Sequence, residues 1–257
     1  MTDARVPSKA PLSAVVITLN AARELEACLA SAAFAQEILV VDSGSTDGTI
    51  ELAQARGARV VSHQWLGFGR QKQFAVSQAA HDWVLCVDAD ERVSDELRRS
   101  IVAELAAPRG FVCSMARCNR FMGRWLRHGE GYPDWNTRLF HRGHARWSDD
   151  AVHEHVLTTA SVVRLAGDLM HESAESLERY LDKQNRYTTL QAERMLADGR
   201  GAGVLHFVFS PLVRFLKFYV FRLGFLDGIP GLVHIAIGCM NSFNKYAKLR
   251  ALKRSTQ

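Results

Sequence analysis

The feature that most constrains this chain is an alternation, over its first 120 residues, of short apolar runs with segments of helical spacing. LSAVVITL (12–19), EILVVDS (37–43), ARVVS (58–62), DWVLCVD (82–88) and FVCSM (111–115) have the length of strands. Segments at about 22–33, 48–56 and 70–80 separate the first four, and another follows at 94–106. Strands apolar on both faces, each followed by a helix, predict an α/β fold with a mostly parallel central sheet covered on both sides. Ser94 before Asp95 and Glu96 predicts an N-cap with acids in the first helical turn. Gly57 predicts a left-handed helix end. Ligands of such folds bind at the carboxyl ends of the strands.

Those ends carry polar groups. The first strand closes on Thr18-Leu19-Asn20, the second on Asp42-Ser43-Gly44-Ser45-Thr46-Asp47-Gly48, and the fourth on Asp88-Ala89-Asp90-Glu91. Alone, 42–48 reads equally well as a polar turn and Asp88-Ala89-Asp90 better as a solvated one; together, in register on neighbouring βα units, they favour a site. Acids at two such ends repel unless a cation or a donor separates them. Asp42 can accept a hydrogen bond from a base N–H, and Asn20 can both donate and accept. Asp88 and Asp90, two apart on an extended segment, suit a hard divalent cation that also reaches phosphate oxygens. There is no Walker motif.

After residue 115 the pattern changes. Segment 116–155 is rich in Arg, His, Trp and Gly and predicts long loops with one strand at 136–140. A short strand is expected at 161–166 and an amphipathic helix at about 174–198, with Gly199, Gly201 and Gly203 as a hinge. Arg117, Arg120, Arg124, Arg127 and Arg138 could recognise phosphate, or simply pair with acids across the loops. His153-Glu154-His155 lacks the HExxH spacing of a helical zinc site.

The formal net charge of +5 is concentrated at the C-terminal end, where residues 204–257 hold eight Lys or Arg against one acid, Asp227. The basic residues sit among Phe207, Phe209, Phe215, Phe218 and Phe221, which favours a membrane interface over nucleic acid. The longest uncharged run, Gly228 to Asn244, has 17 residues with a proline and a histidine, short of the roughly 20 a spanning helix needs. A helical hairpin packed on the core is the plainer alternative. Five cysteines without a CxxC pair, and an N-terminus without a signal-peptide pattern, lead us to expect a cytoplasmic chain. The expected division is an N-terminal tail (1–11), a catalytic domain (12–203) and a helical membrane-associating segment (204–257).

The stretch VVITLN…ILVVDSGSTDGT…DWVLCVDADE resembles the family 2 inverting glycosyltransferases of GT-A fold. NRFMGRWLRHGEGYPDWNTRLFHRG…AVHEH is similar to the bacterial subset that adds a hexose, usually glucose, to the lipopolysaccharide inner core. The resemblance implies a nucleotide-sugar-binding GT-A domain, with Thr18, Asn20 and Asp42 at the nucleoside and Asp42 on the base. Many members carry Asp where this chain has Ser43. It further implies Lys72 at a phosphate or base, Asp88 near the ribose, and Asp90 with Asp88 on Mg²⁺ or Mn²⁺ bridging the diphosphate. His153 or His171 is a candidate third ligand, with a structural histidine as the plainer reading.

An inverting transfer needs a base on the face opposite the leaving group. Asp134 is the first candidate, between Tyr132 and Trp135, whose rings could stack on a sugar; Glu154 is the second. The resemblance thus leads us to expect a hexosyltransferase that moves glucose from UDP-glucose to a heptose of a glycolipid acceptor. It would sit peripherally on the anionic cytoplasmic face of the inner membrane, with no nucleic-acid partner. The alternatives are transfer to a polyprenyl phosphate or another surface polysaccharide, and a non-catalytic sugar-nucleotide or membrane adaptor.

Overall fold

The computed structural model describes residues 9–150, 154–172 and 176–255. The described residues of Met1–Arg117 and Asp134–His171 form one compact unit; those of Cys118–Pro133 and Glu172–Gln257 form a second. The residue-203 boundary expected from sequence falls inside the second unit.

The first unit opens with β1 (Ala10–Thr18), α1 (Ala22–Ser31), β2 (Ala35–Asp42), α2 (Thr49–Ala55), β3 (Arg59–Ser62), α3 (Phe68–Gln78) and β4 (Trp83–Asp88). These four strands are parallel in the order β3-β2-β1-β4. β1 shows why: Leu12, Ala14 and Val16 join a core with Leu25 and Leu29 of α1, whereas Val15 joins a second core with Ala75 and Val76 of α3. A strand buried on both faces needs helices on both sides. Its register places Thr18 beside Asp42 and Ile17 beside Asp88, so the polar strand ends share one edge.

Beyond β4 antiparallel pairs enter the sheet. After β5 (Glu91–Val93) and α4 (Asp95–Ala106) come β6 (Val112–Phe121), β7 (Arg124–Trp125), β8 (Asp134–His141), β9 (Ala145–Trp147), β10 (Val156–Thr158) and β11 (Val162–His171). The order continues β4-β8-β6-β11-β5, so the parallel character expected for the sheet belongs to its N-terminal half and the whole is mixed. Ser94 caps α4 as expected, accepting from Leu97 N at 3.2 Å, and Gly57 has φ +76°.

The region read as loops with one strand is therefore richer in strands, and β11 runs five residues past the expected end at residue 166. The reason is electrostatic: Arg117 and Arg138 interrupt the apolar alternation of β6 and β8, and each is paired with acids within this unit. Hydrophobic periodicity does not register a buried charge that is already paired.

The second unit holds α5 (Leu177–Ala197), α6 (Val204–Phe215), a π-helical turn (Leu216–Phe221), a 3-10 turn (Gly224–Asp227) and α7 (Gly228–Ser255). α7 packs against both α5 and α6. Asp227 is buried and accepts from the backbone N–H groups of Arg127 (3.0 Å) and His128 (2.8 Å), which ties segment 118–133 to the helices. Arg214 pairs with Glu130 against α7, where a Cβ on Gly238 would stand 2.3 Å from Glu130 Oε2. Val204–Phe221 is long and apolar enough by composition to cross a membrane, and none of it is buried.

Candidate active site

The turn after β2 is built around Asp42, which is fully buried. Its Oδ1 accepts from Gly44 N (2.9 Å) and Ser45 N (2.8 Å), and its Oδ2 from Thr18 Oγ1 (2.9 Å) and Ser45 Oγ (2.5 Å). Burial alone would raise the carboxyl's pKa; the bonds from Ser45, Thr18 and Gly44 outweigh it and hold the pKa below its ordinary value. A carboxylate offers about four acceptor positions, and all are taken here. Asp42, expected at the base, shapes the turn in this arrangement. Thr18 is likewise spent on Asp42. Asn20, at φ +51°, accepts from Thr46 N (2.9 Å) through Oδ1, and its backbone N–H donates to Ser45 Oγ (2.8 Å). Its side-chain NH₂ has no partner among the described residues, so Asn20 keeps a donor at this edge.

At the end of β4 lies a chain of alternating charges. Lys72 of α3, 5% exposed, stands 3.0 Å from Glu154 Oε1 and 3.0 Å from Asp88 Oδ1. Asp88 Oδ2 accepts from Arg138 of β8 at 2.7 Å, and Arg138 also donates to buried Glu91 at 3.1 Å. Arg117 of β6 stands 3.7 Å from Glu91 and donates to Asp134 at 3.1 Å, from the residue beside it in register. The sequence is thus Glu154, Lys72, Asp88, Arg138, Glu91, Arg117, Asp134.

Burial works against ionisation of Asp88, but Arg138 and Lys72 outweigh it and hold its pKa far below the carboxylate range. Burial pushes Glu91 up, with Arg138 opposing. Among the described residues Arg138 Nε and Nη1 have no hydrogen-bond partner; its guanidinium faces the Trp147 ring at 5.7 Å, and Lys72 faces the same ring at 4.8 Å.

Lys72, expected at a donor phosphate or base, is buried and paired with two carboxylates. Asp88, expected to share a cation with Asp90, already has a cation at each oxygen.

Asp90 stands apart from this chain. Its Oδ2 lies 3.2 Å from Nε2 of His171, which β11 delivers by pairing His171 with Glu91. Two donors about 2.1 Å from one octahedral cation stand about 3 Å apart, so this carboxylate–imidazole edge fits a divalent ion. Among the described residues no group of three or more His, Cys, Asp or Glu could hold a metal, so the remaining positions would fall to water and substrate oxygens. His153 lies outside the described residues. The site's five carboxylates, when ionised, exceed its three cations by two charges, the charge of one such ion.

Asp134, half-exposed, sits at the start of β8 next to Trp135, whose ring carries Arg164 at 4.8 Å. Of the five arginines proposed for phosphate, Arg117 and Arg138 belong to the charge chain. Arg120 pairs with Glu172, Arg124 donates to Leu226 O, and Arg127 bonds Asp227 through its backbone. Pairing, not phosphate, accounts for the contacts of Arg117, Arg120 and Arg138.

Neither Glu91 nor Gly69 is assigned a role from sequence. Glu91 follows the DAD motif directly, but its burial is a tertiary fact. Gly69, in GFGRQK, lets Ser148 and Glu154 approach α3: a Cβ there would meet Ser148 O at 2.2 Å and Glu154 Cβ at 3.3 Å.

The chain is 33% identical over 250 residues to the lipopolysaccharide core biosynthesis glycosyltransferase LpsC of Rhizobium meliloti, covering 94% of this chain and 92% of the relative. It is 28% identical to an uncharacterized glycosyltransferase of Rickettsia prowazekii, covering 96% of this chain and 89% of that one. Among solved structures, S. aureus TarS with UDP-GlcNAc aligns with 96% of this chain and 92% of its own at 14% identity and TM-score 0.49. Glucosyl-3-phosphoglycerate synthase of Mycobacterium tuberculosis, in complex with Mn²⁺, UDP and glucosyl-3-phosphoglycerate, aligns with 43% of this chain and 44% of its own at 26% identity and TM-score 0.37. The family model for glycosyl transferase family 2 matches residues 13–164, the span that carries the strand-end turns and the charge chain. The chain belongs to the family 2 glycosyltransferases, and it is a glycosyltransferase.

Proposed function

We propose that this enzyme is a metal-dependent inverting hexosyltransferase that moves glucose from UDP-glucose to a heptose hydroxyl of a lipopolysaccharide inner-core acceptor. The observation that carries it is the division of acids at one sheet edge: Asp88 and Glu91 are neutralised by Arg138 and Lys72, while Asp90 faces His171 and Asp134 is half-exposed. The name of the Rhizobium relative supports the acceptor class.

In this reading Asn20 offers its side-chain NH₂ to the base, on a turn that Asp42 keeps rigid. A divalent cation, Mg²⁺ or Mn²⁺, held by Asp90 and His171 would offset the negative charge developing on the leaving nucleoside diphosphate. Asp134 takes the proton from the acceptor hydroxyl as that oxygen attacks the anomeric carbon. Arg117 holds Asp134 from one side. Glu154 is the second choice, because Lys72 occupies its Oε1. Trp135 supplies an exposed ring face for a sugar.

The C-terminal helices would seat the protein on the anionic cytoplasmic face of the inner membrane, where a glycolipid acceptor is anchored. Their exposed apolar residues, among them Val204, Leu205, Phe221 and Ile229, support this seat.

The test incubates purified protein with a panel of nucleotide-sugars and extracted core acceptors, with and without EDTA. Product mass identifies the sugar, and anomeric NMR reads the stereochemistry. UDP-glucose turnover with inverted configuration, abolished by EDTA and restored by Mg²⁺ or Mn²⁺, is the expected result. Retained configuration, or full activity in chelator, would sink the reading.

A further inference from the structure

The second unit holds a groove of about 610 Å³ between α6 and the middle of α7. Leu205, Phe209 and Val213 form its apolar wall, all more than half exposed to solvent. Arg214, Lys217 and Lys245 also line it, with no acid among the lining residues. Arg214 is balanced by Glu130 and bonds Ser242 Oγ at 3.2 Å.

The two lysines have no such partner. Lys217 Nζ lies over the Phe218 ring and Lys245 Nζ over the Tyr246 ring, each at 5.1 Å, and neither makes an ion pair among the described residues. Lys248, one turn from Lys245, shows how this unit treats a lysine it satisfies: its ammonium donates to Asn185 O, Asn185 Oδ1, Thr188 Oγ1 and Thr189 Oγ1 at 2.6–2.9 Å. Burial and the nearby Arg214 charge both push the Lys245 pKa down. An anion would relieve both strains.

We infer that this groove binds one anionic glycerophospholipid, its phosphate between Lys217 and Lys245 and its acyl chain along Leu205, Phe209 and Val213. Charge complementarity selects the headgroup, and the apolar wall excludes a free phosphate as the natural occupant. The inference rests on the membrane seat proposed above but goes beyond it, since a diffuse basic surface needs no saturable site. Basic pockets between helices are a recurrent way to hold lipid headgroups.

The experiment titrates the full chain by calorimetry with dihexanoyl phosphatidate below its micelle concentration. Dihexanoyl phosphatidylcholine carries the same chains under a net-neutral headgroup, and inorganic phosphate lacks the chains. Saturable one-to-one binding of phosphatidate, about tenfold or more tighter than either control, is expected. Lys217→Gln with Lys245→Gln should weaken it at least about tenfold with an unchanged melting curve. Ser210→Trp should block the groove with both lysines in place. Equal binding of the two lipids, binding of phosphate as tight as phosphatidate, or an unaffected double variant would overturn the site.

Vesicle co-sedimentation separates the two readings. Intact vesicle binding without phosphatidate binding removes the groove and leaves the membrane seat. Phosphatidate binding without vesicle binding leaves the groove and removes the seat. A dimer in light scattering that Ser210→Trp dissociates, with no phosphatidate bound, would give the groove to a second copy and overturn the proposal.

Discussion

Lys72 and Lys245 are both withdrawn from water, yet they report opposite designs. Lys72, in the sheet unit, lies between Asp88 and Glu154, in a chain of seven alternating charges. Lys245, in the helical unit, has an aromatic ring and, among the described residues, no acid. A buried cation whose counter-charge is internal fixes geometry. A partly buried cation without one is completed from outside. The contrast assigns rigid preorganisation to one unit and ligand capture to the other.

The sharpest way to break this comparison is at the single acid left outside the chain. Asp90→Asn should cut sugar transfer by about a thousandfold or more while circular dichroism and melting stay near wild type, because its side chain is about a third exposed. His171→Ala should follow it and shift the Mn²⁺ activation curve to higher concentration. Activity indifferent to both variants would remove the metal edge from the site.

At the far end of the same chain, Asp134→Asn should lower kcat by about 10²–10⁴ with little change in donor binding, since the proton moves only in the acceptor step. Glu154→Gln is the control. A dead Glu154→Gln beside a near-normal Asp134→Asn would exchange their roles.

The helical unit is tested by charge outside the groove. Arg250→Gln, Lys253→Gln and Arg254→Gln together should weaken binding to anionic vesicles by roughly a hundredfold at low salt, at about 1 kcal/mol for each basic group near the surface. The effect should shrink in high salt, while an apolar part of the binding persists. Vesicle binding that ignores both salt and the triple variant would mean the basic residues do not face lipid.

Lys72→Met should cost about 3 kcal/mol in urea unfolding, because it strands Asp88 and Glu154 while keeping the packing volume. Lys245→Met should cost almost nothing by the same measurement, since no acid is stranded. Equal losses would erase the distinction between the two lysines.

The smallest effect concerns pH. The Asp42 carboxyl has a folded pKa depressed below its unfolded value, so its contribution is fully present above the ordinary carboxylate pKa, near 4. That contribution is lost as pH falls through the lower folded value. Asp42→Asn should therefore flatten the decline of the urea midpoint between about pH 5 and 2 and lower the plateau by about 1–2 kcal/mol. An unchanged pH slope would mean that the four bonds to Asp42 do not favour its charge.

Much of the sheet unit could be read before any coordinates. β1 to β4 and the helices between them carry their own periodicity, because strands buried on both faces must be apolar throughout. The strand-end turns were legible for the same reason: polar residues directly after an apolar run have only the edge of the sheet to occupy. Asp88 and Asp90 show the limit of that logic. Two residues apart in sequence, they read as one pair of ligands, yet Arg138 arrives 50 residues later and takes Asp88.

What the sequence by itself determined is the parallel half of the sheet, the family, and the edge at which chemistry is placed, all local consequences of period and turn residues. Tertiary structure alone decided which charges are spent and which are free. Arg117, Arg138, Lys72 and Lys245 look alike as basic residues; three meet carboxylates from other strands or loops and one does not. Coulomb energy depends on distance in space, and residues brought together by crossing strands have no fixed separation along the chain.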